Sequence, residues 1–295
     1  MFWRLGLIGY PLGHSRSPDI HAAALDALGL AGEYRLYPVL PLPEGTGVLS
    51  ELLMRMRTAE IQGLNVTIPH KGSVTPYLDD IAPDATTIGA VNTILFRNGH
   101  LVGDNTDARG FLADLELLAP DLLTSSPKPR SALVLGAGGS ARAIVWALLN
   151  AGWQVTLAAR RMEQVQGLME SYLSSVISDR LSVISYQTIG IDNQQSAIIN
   201  HQSSLSLIVN CTPLGMSPNI DTSPWPASVP LPKEAVVYDL VYNPSETLLV
   251  RRARQAGLRA FTGLGMLVEQ AGCAFELWTG LPAPREVMRE AVRQV

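Results

Sequence analysis

Cysteine is scarce in this chain of 295 residues: there are two, Cys211 and Cys273, far apart and without metal-ligand spacing. That scarcity excludes a disulfide framework, gives no metal-site signature and suits a reducing cytoplasm. Charge is sparse as well, at 16% of residues with a net of −4, and no block of about five or six like charges forms a tail. Without a basic field, nucleic acid is not an expected partner. Long apolar runs are also missing, since none reaches the roughly 18 residues that a membrane-crossing helix needs, so no membrane partner is expected. The opening Met1-Phe2-Trp3-Arg4-Leu5-Gly6-Leu7-Ile8-Gly9 lacks a basic stretch, a long apolar core and a small-residue cleavage site. It reads as a first strand rather than a leader.

What is present is a chain that is 47% hydrophobic and long enough for about two domains with buried cores. Short apolar runs alternate with amphipathic stretches: strand 5–8, helix 18–28, strand 34–39, helix 49–57, strand 63–67. Such alternation predicts an α/β fold. A proline- and serine-rich connector at 119–130 precedes Ala132-Leu133-Val134-Leu135, where a second unit begins. Strands 132–135, 155–158, 205–210 and 236–240 with helix 140–150 predict a doubly wound parallel sheet, its strands apolar because both faces are covered. The polar stretch 187–204 reads as an exposed excursion, and 266–278 and 285–294 read as closing helices that pack back on the first domain.

The turn Gly136-Ala137-Gly138-Gly139-Ser140-Ala141 lies directly between an apolar strand and a helix. Glycines there let the backbone approach a pyrophosphate, whose charge is met by free N–H groups and the helix dipole. At the end of the next strand, where an NAD site places an acidic residue for the ribose hydroxyl, stand Ala159, Arg160 and Arg161. An arginine fork suits a 2′-phosphate, so the expected cofactor is NADP. A hydride carrier needs a partner that moves a proton. Lys71, in Asn65-Val66-Thr67-Ile68-Pro69-His70-Lys71, and Asp107, in Gly103-Asp104-Asn105-Thr106-Asp107, suggest that pair.

Six ordered motifs carry a resemblance to the shikimate dehydrogenase family: Gly9 to His21, Asn65 to Lys71, Gly89-Ala90-Val91-Asn92-Thr93, Asn105-Thr106-Asp107, Asn210-Cys211-Thr212-Pro213-Leu214-Gly215-Met216 and Gly263 to Ala271. The resemblance implies NADP-dependent, reversible reduction of 3-dehydroshikimate to shikimate, a step of aromatic amino-acid and chorismate biosynthesis, without a metal. It implies an N-terminal α/β substrate domain, residues 1–107 completed by 266–295, and a Rossmann-type dinucleotide domain, 108–265, with the site in the cleft between them. Ser15 and Ser17 match the family's carboxylate binders, with Ser17 as helix cap the alternative or companion role. Thr67, Asn92, Tyr242 and Gln270 match further substrate contacts, and Leu240 and Gly263 match positions facing the nicotinamide. Lys71 would assist proton transfer, with Asp107 as its partner.

His14 and His70 are expected to be packing or pocket-wall residues and Asp104 a turn residue. One departure stands out: where the family often continues with threonine and an arginine about three residues on, this chain has Arg161 and Gln164. The rivals are a quinate/shikimate dehydrogenase acting on a related ring acid, and a non-catalytic NADP-sensing module. A homodimer is compatible with all three.

Overall fold

The computed structural model describes residues 1–124, 130–160, 178–185 and 205–293, together with Glu163, Val165 and Leu168. The expectations for Arg161 and for 187–204 lie outside the described residues. The chain divides into two compact units, Met1–Phe111 with Leu267–Val295, and Leu112–Met266.

In the first unit, β1 (Trp3–Gly9), α1 (Ser17–Ala27), β2 (Gly32–Pro38), α2 (Thr46–Arg57) and β3 (Gly63–Val66) follow the apolar periodicity of the sequence. The two-residue β4 (Asp80–Ile81), α3 (Pro83–Ile88), β5 (Thr93–Arg97) and β6 (His100–Asp104) are additional to the elements that periodicity predicts. The sheet order is β2-β1-β3-β5-β6-β4. β1 runs parallel to β2 and β3, whereas β5 is antiparallel to both β3 and β6. Asn98 and Gly99, with φ of 53° and 85°, form the two-residue turn of the β5–β6 hairpin, the turn type whose strand-compatible twist requires left-handed backbone at both positions. A buried cluster including Ile8, Leu52, Met56, Leu64, Val91 and Ile94 fills one side of this sheet.

α4 (Asp107–Leu118) carries the chain into the second unit. There β7 (Ser131–Leu135), α5 (Gly139–Asn150), β8 (Gln154–Ala159), β9 (Leu181–Ser185), β10 (Leu205–Asn210), β11 (Val236–Asp239), α6 (Leu248–Gln255) and β12 (Ala260–Thr262) follow along the chain. All described strand pairs are parallel, in the order β12-β11-β10-β7-β8-β9. This is the doubly wound order of dinucleotide-binding domains, and its direction reverses between β7 and β10, where such sheets take ligands beyond the strand ends. β7, β10 and β11 are buried almost throughout, as a sheet covered on both faces demands.

α7 (Leu264–Thr279) returns the chain to the first unit and α8 (Arg285–Arg293) packs on α1.

Candidate functional site

The first unit gathers polar side chains from the ends of β3, β5, β6 and the starts of α1 and α4. Lys71 Nζ lies 2.5 Å from Asp107 Oδ2, with side-chain exposures of 12% and 5%. Asp107 begins α4, where backbone N–H groups favour a negative charge. Its second oxygen accepts from Asn92 Nδ2 at 2.8 Å, and that amide also lies 3.4 Å from Gln270 Oε1. Asn92 Oδ1 accepts from the Thr106 N–H at 2.7 Å and the Thr93 hydroxyl at 2.9 Å. The Asn92 amide thus bonds at both ends and holds Asp107 in one orientation. Gln270 is drawn close by Gly110: a side chain there would meet the Gln270 backbone nitrogen at 2.6 Å.

A second part of the network runs through Tyr34, which lies in none of the sequence motifs. Tyr34, on β2, donates its hydroxyl to Asn65 Oδ1 at 2.8 Å, and Asn65 Nδ2 donates to the Asn92 carbonyl and the Thr93 hydroxyl, each at 3.2 Å. The Ser17 side chain hydrogen-bonds to Tyr34, although burial of the phenol dominates and pushes its pKa above the ordinary range. His21 stacks flat on Tyr34, with ring centroids 4.4 Å apart and planes within 1°. Full burial pushes the His21 pKa down to about 3, so the ring is neutral, and the Asn65 amide beside it only partly offsets that. Hydrogen bonds thus run from Ser17 through Tyr34, Asn65, Asn92 and Asp107 to Lys71.

Ser17 does not cap α1. The cap position is Arg16, whose side chain makes no cap bond, and Ser17 is buried as the first helical residue with Pro18 behind it. The turn before the helix is held instead by Ser15, whose hydroxyl accepts from the Ser17 N–H at 3.3 Å. Thr67 follows β3, with its N–H bonded to the Ile8 carbonyl at 2.9 Å. His70 is buried, one ring nitrogen 2.8 Å from the Val39 carbonyl, and His14 is exposed. Asp104 ends β6 rather than occupying a turn; its carboxylate accepts from the Asn105 N–H at 2.6 Å and from Arg109 at 3.0 Å.

In the second unit the glycine turn stands between β7 and α5. Gly136 has φ +107°, and its N–H bonds the Ala158 carbonyl at 2.9 Å; only glycine adopts that backbone without strain. Gly138 occupies the cap of α5 without a side-chain bond, and nothing lies within 4 Å of where its side chain would be. Gly139 and Ser140 open the helix behind Ala137, and Ala141 is fully buried against the sheet. An open backbone surface at a helix N-terminus without a side-chain cap fits a pyrophosphate. Ala159 ends β8 in the core and the exposed Arg160 follows it, as a 2′-phosphate contact requires. No acidic residue precedes Arg160 at that strand end.

Leu240 and Tyr242 lie in the loop after β11. Gly263 needs to be glycine because a side chain there would meet the Leu240 carbonyl oxygen at 2.2 Å. Its smallness therefore serves close approach of the chain to itself.

Comparison with known proteins supplies the rest. The model of the shikimate dehydrogenase substrate-binding domain matches residues 7–94, and that of the shikimate 5′-dehydrogenase C-terminal domain matches 263–293. The NADP(+) shikimate dehydrogenase of Symbiobacterium thermophilum is 41% identical over 288 residues, covering 97% of this chain and 92% of that protein. Shikimate 5-dehydrogenase of Thermus thermophilus, solved with NADP(H) and shikimate, superposes with a TM-score of 0.81 at 37% identity, covering 99% of each chain. Quinate dehydrogenase of Corynebacterium glutamicum, solved with NAD, superposes with a TM-score of 0.84 at 32% identity, again over 99% of each. Near-full-length identity of this order, on a chain whose two units carry both the polar network and the glycine turn, means that this protein belongs to the shikimate dehydrogenase family.

Proposed function

We propose that the protein interconverts 3-dehydroshikimate and shikimate with NADP(H), and that Lys71 moves the proton. The observation that carries this is the largely buried Lys71–Asp107 pair at 2.5 Å, held by Asn92. When bound, the nicotinamide supplies or accepts the hydride. Reduction of a ketone by hydride leaves an oxygen that must gain a proton in or near the same step. Lys71 Nζ delivers that proton, and in the reverse direction accepts the hydroxyl proton. Asp107 keeps the amine in place and takes a ring hydroxyl as donor, while Asn92 fixes the carboxylate that does so.

The remaining side chains take the roles that the family resemblance implies and that their chemistry suits. Ser15 and Ser17 offer hydroxyls, beside the start of α1, to the substrate carboxylate. Thr67, Asn92, Tyr242 and Gln270 supply hydroxyl, amide and phenol groups to the ring oxygens. Gly136, Ala137, Gly138, Gly139 and Ser140 cradle the pyrophosphate, Ala159 leads to Arg160 and Arg161 at the 2′-phosphate, and Leu240 and Gly263 serve the nicotinamide end. Residence in the cytoplasm fits a chain with just two cysteines, which form no disulfide. Among the described residues, no helix is long and apolar enough to cross a membrane.

Likeness to a quinate dehydrogenase favours one second reading, a ring acid bearing an extra hydroxyl on the carboxylate-bearing carbon. In that case the proton chemistry of Lys71 is unchanged and only the ring contacts differ. Replacement Lys71→Ala tests what the two readings share. Turnover at saturating substrate is expected to fall by about 10²- to 10⁴-fold with much smaller change in substrate binding. Wild-type turnover in that variant refutes the assignment.

A further inference from the structure

In the second unit, two loops meet on one buried carboxylate that the proposed chemistry does not use. β10 ends at Asn210 and β11 at Asp239, paired side by side in the sheet. Asp239 Oδ1 accepts from Asn210 Nδ2 at 2.7 Å and from the Val241 N–H at 3.1 Å, and Oδ2 accepts from the Thr247 hydroxyl at 2.7 Å. Each donor controls a different piece of chain. Asn210 Oδ1 accepts from the Thr212 N–H at 2.9 Å and hydroxyl at 2.7 Å, which sets the loop after β10. That loop lies against the glycine turn: a side chain at Gly136 would meet Thr212 Cγ2 at 3.1 Å and the Cys211 carbonyl oxygen at 3.3 Å. The Val241 N–H fixes the loop that carries Leu240 and Tyr242, and the Thr247 hydroxyl caps α6 by accepting from the Val250 N–H at 3.2 Å.

We propose that Asp239 is a positioning residue for the dinucleotide: it sets the loop after β10, which lies against the glycine turn, and the loop after β11 that carries Leu240 and Tyr242, and NADP affinity depends on it through those loops. The proposal rests on the reading that this unit binds NADP. Burial pushes the Asp239 carboxyl up to about 6 from 3.8, despite three donors that each pull it down. The groups facing it are the Asn210 amide from β10, the Thr247 hydroxyl at the start of α6 and the Val241 N–H of its own loop, none of them charged. A group whose folded pKa is raised favours the folded chain below the unfolded pKa, and that advantage is lost as pH rises through the folded value. At neutral pH the charged form is thus held at a cost in solvation.

The test is NADP⁺ titration calorimetry on the full chain without shikimate, for wild type, Asp239→Asn, Asn210→Ala and the double variant. Loss of one charge-assisted bond predicts a dissociation constant raised about tenfold in each single variant. The double variant is expected to be no weaker than the weaker single, because both act through one network. Thermal midpoints supply a second readout: Asp239→Asn gains on wild type as pH rises from 3.8 through about 6. Unchanged NADP⁺ affinity in both single variants overturns the proposal, and so does an Asp239→Asn midpoint that falls behind wild type as pH rises, the sign of a purely stabilising carboxylate. If Asp239→Asn does not fold, Asn210→Ala decides alone. Wild type that fails to bind NADP⁺ overturns the functional reading itself.

Discussion

Asn92 shows what a single side chain contributes at this site. A carboxylate in its place would face Asp107 at 2.8 Å as a like charge, and a shorter hydroxyl could not also accept from Thr106 and Thr93. An amide alone satisfies donors on one side and acceptors on the other. Under the proposed function, Arg160 plays the corresponding part for the cofactor. Arg160→Ala is expected to raise the Michaelis constant for NADPH by roughly 10- to 100-fold, the value of one or two bonds to a charged phosphate, and to leave that for NADH nearly unchanged. Equal effects on both remove the NADP assignment. Motif residues such as Lys71, Asp107 and the glycine turn are legible in the sequence because their spacing carries the chemistry. The partnership of His21, Tyr34 and Asn65 is not, because it joins α1, β2 and β3 across the fold and no local pattern announces it.

At the scale of elements, the parallel strands of the second unit are legible as apolar runs, since burial on both faces leaves no room for alternation. The β5–β6 hairpin stands outside the predicted elements although Asn98-Gly99 is its sequence signal, and β4 is too short to show a period. The two closing helices are joined by charge as well as by apolar packing. Glu269 on α7, only 4% exposed, accepts from Arg285 Nε at 2.8 Å and from Arg289 Nη2 at 2.7 Å, both on α8. Arg285 also reaches Glu276 at 2.6 Å. Both arginines are part-exposed and Arg285 keeps Glu276, so removing Glu269 costs about 1–2 kcal/mol, the value of charge-assisted bonds discounted for solvent screening. Glu269→Ala is accordingly expected to lower the midpoint of the first unfolding transition in urea; an unchanged midpoint means that α8 is held by Met288 and Val292 alone.

Along the whole chain one unit is inserted within the other: the first is left through α4 and re-entered through α7, and residues 112–266 form the doubly wound unit between. Alternation along the sequence discloses both α/β units, while the mixed sheet of the first stays hidden because strand direction is set by long-range pairing. The polar network belongs to the first unit and the glycine turn to the second, so activity requires the chemistry of both. Absorbance at about 340 nm, where reduced nicotinamide absorbs, followed with shikimate or quinate against NADP or NAD, tests that most directly. Shikimate-dependent NADPH formation is expected with kcat/KM at least about tenfold above the quinate and NAD pairings, the discrimination of roughly 1.4 kcal/mol that one well-placed polar contact provides. No NADPH formed from shikimate, or a preference for quinate with NAD, contradicts it.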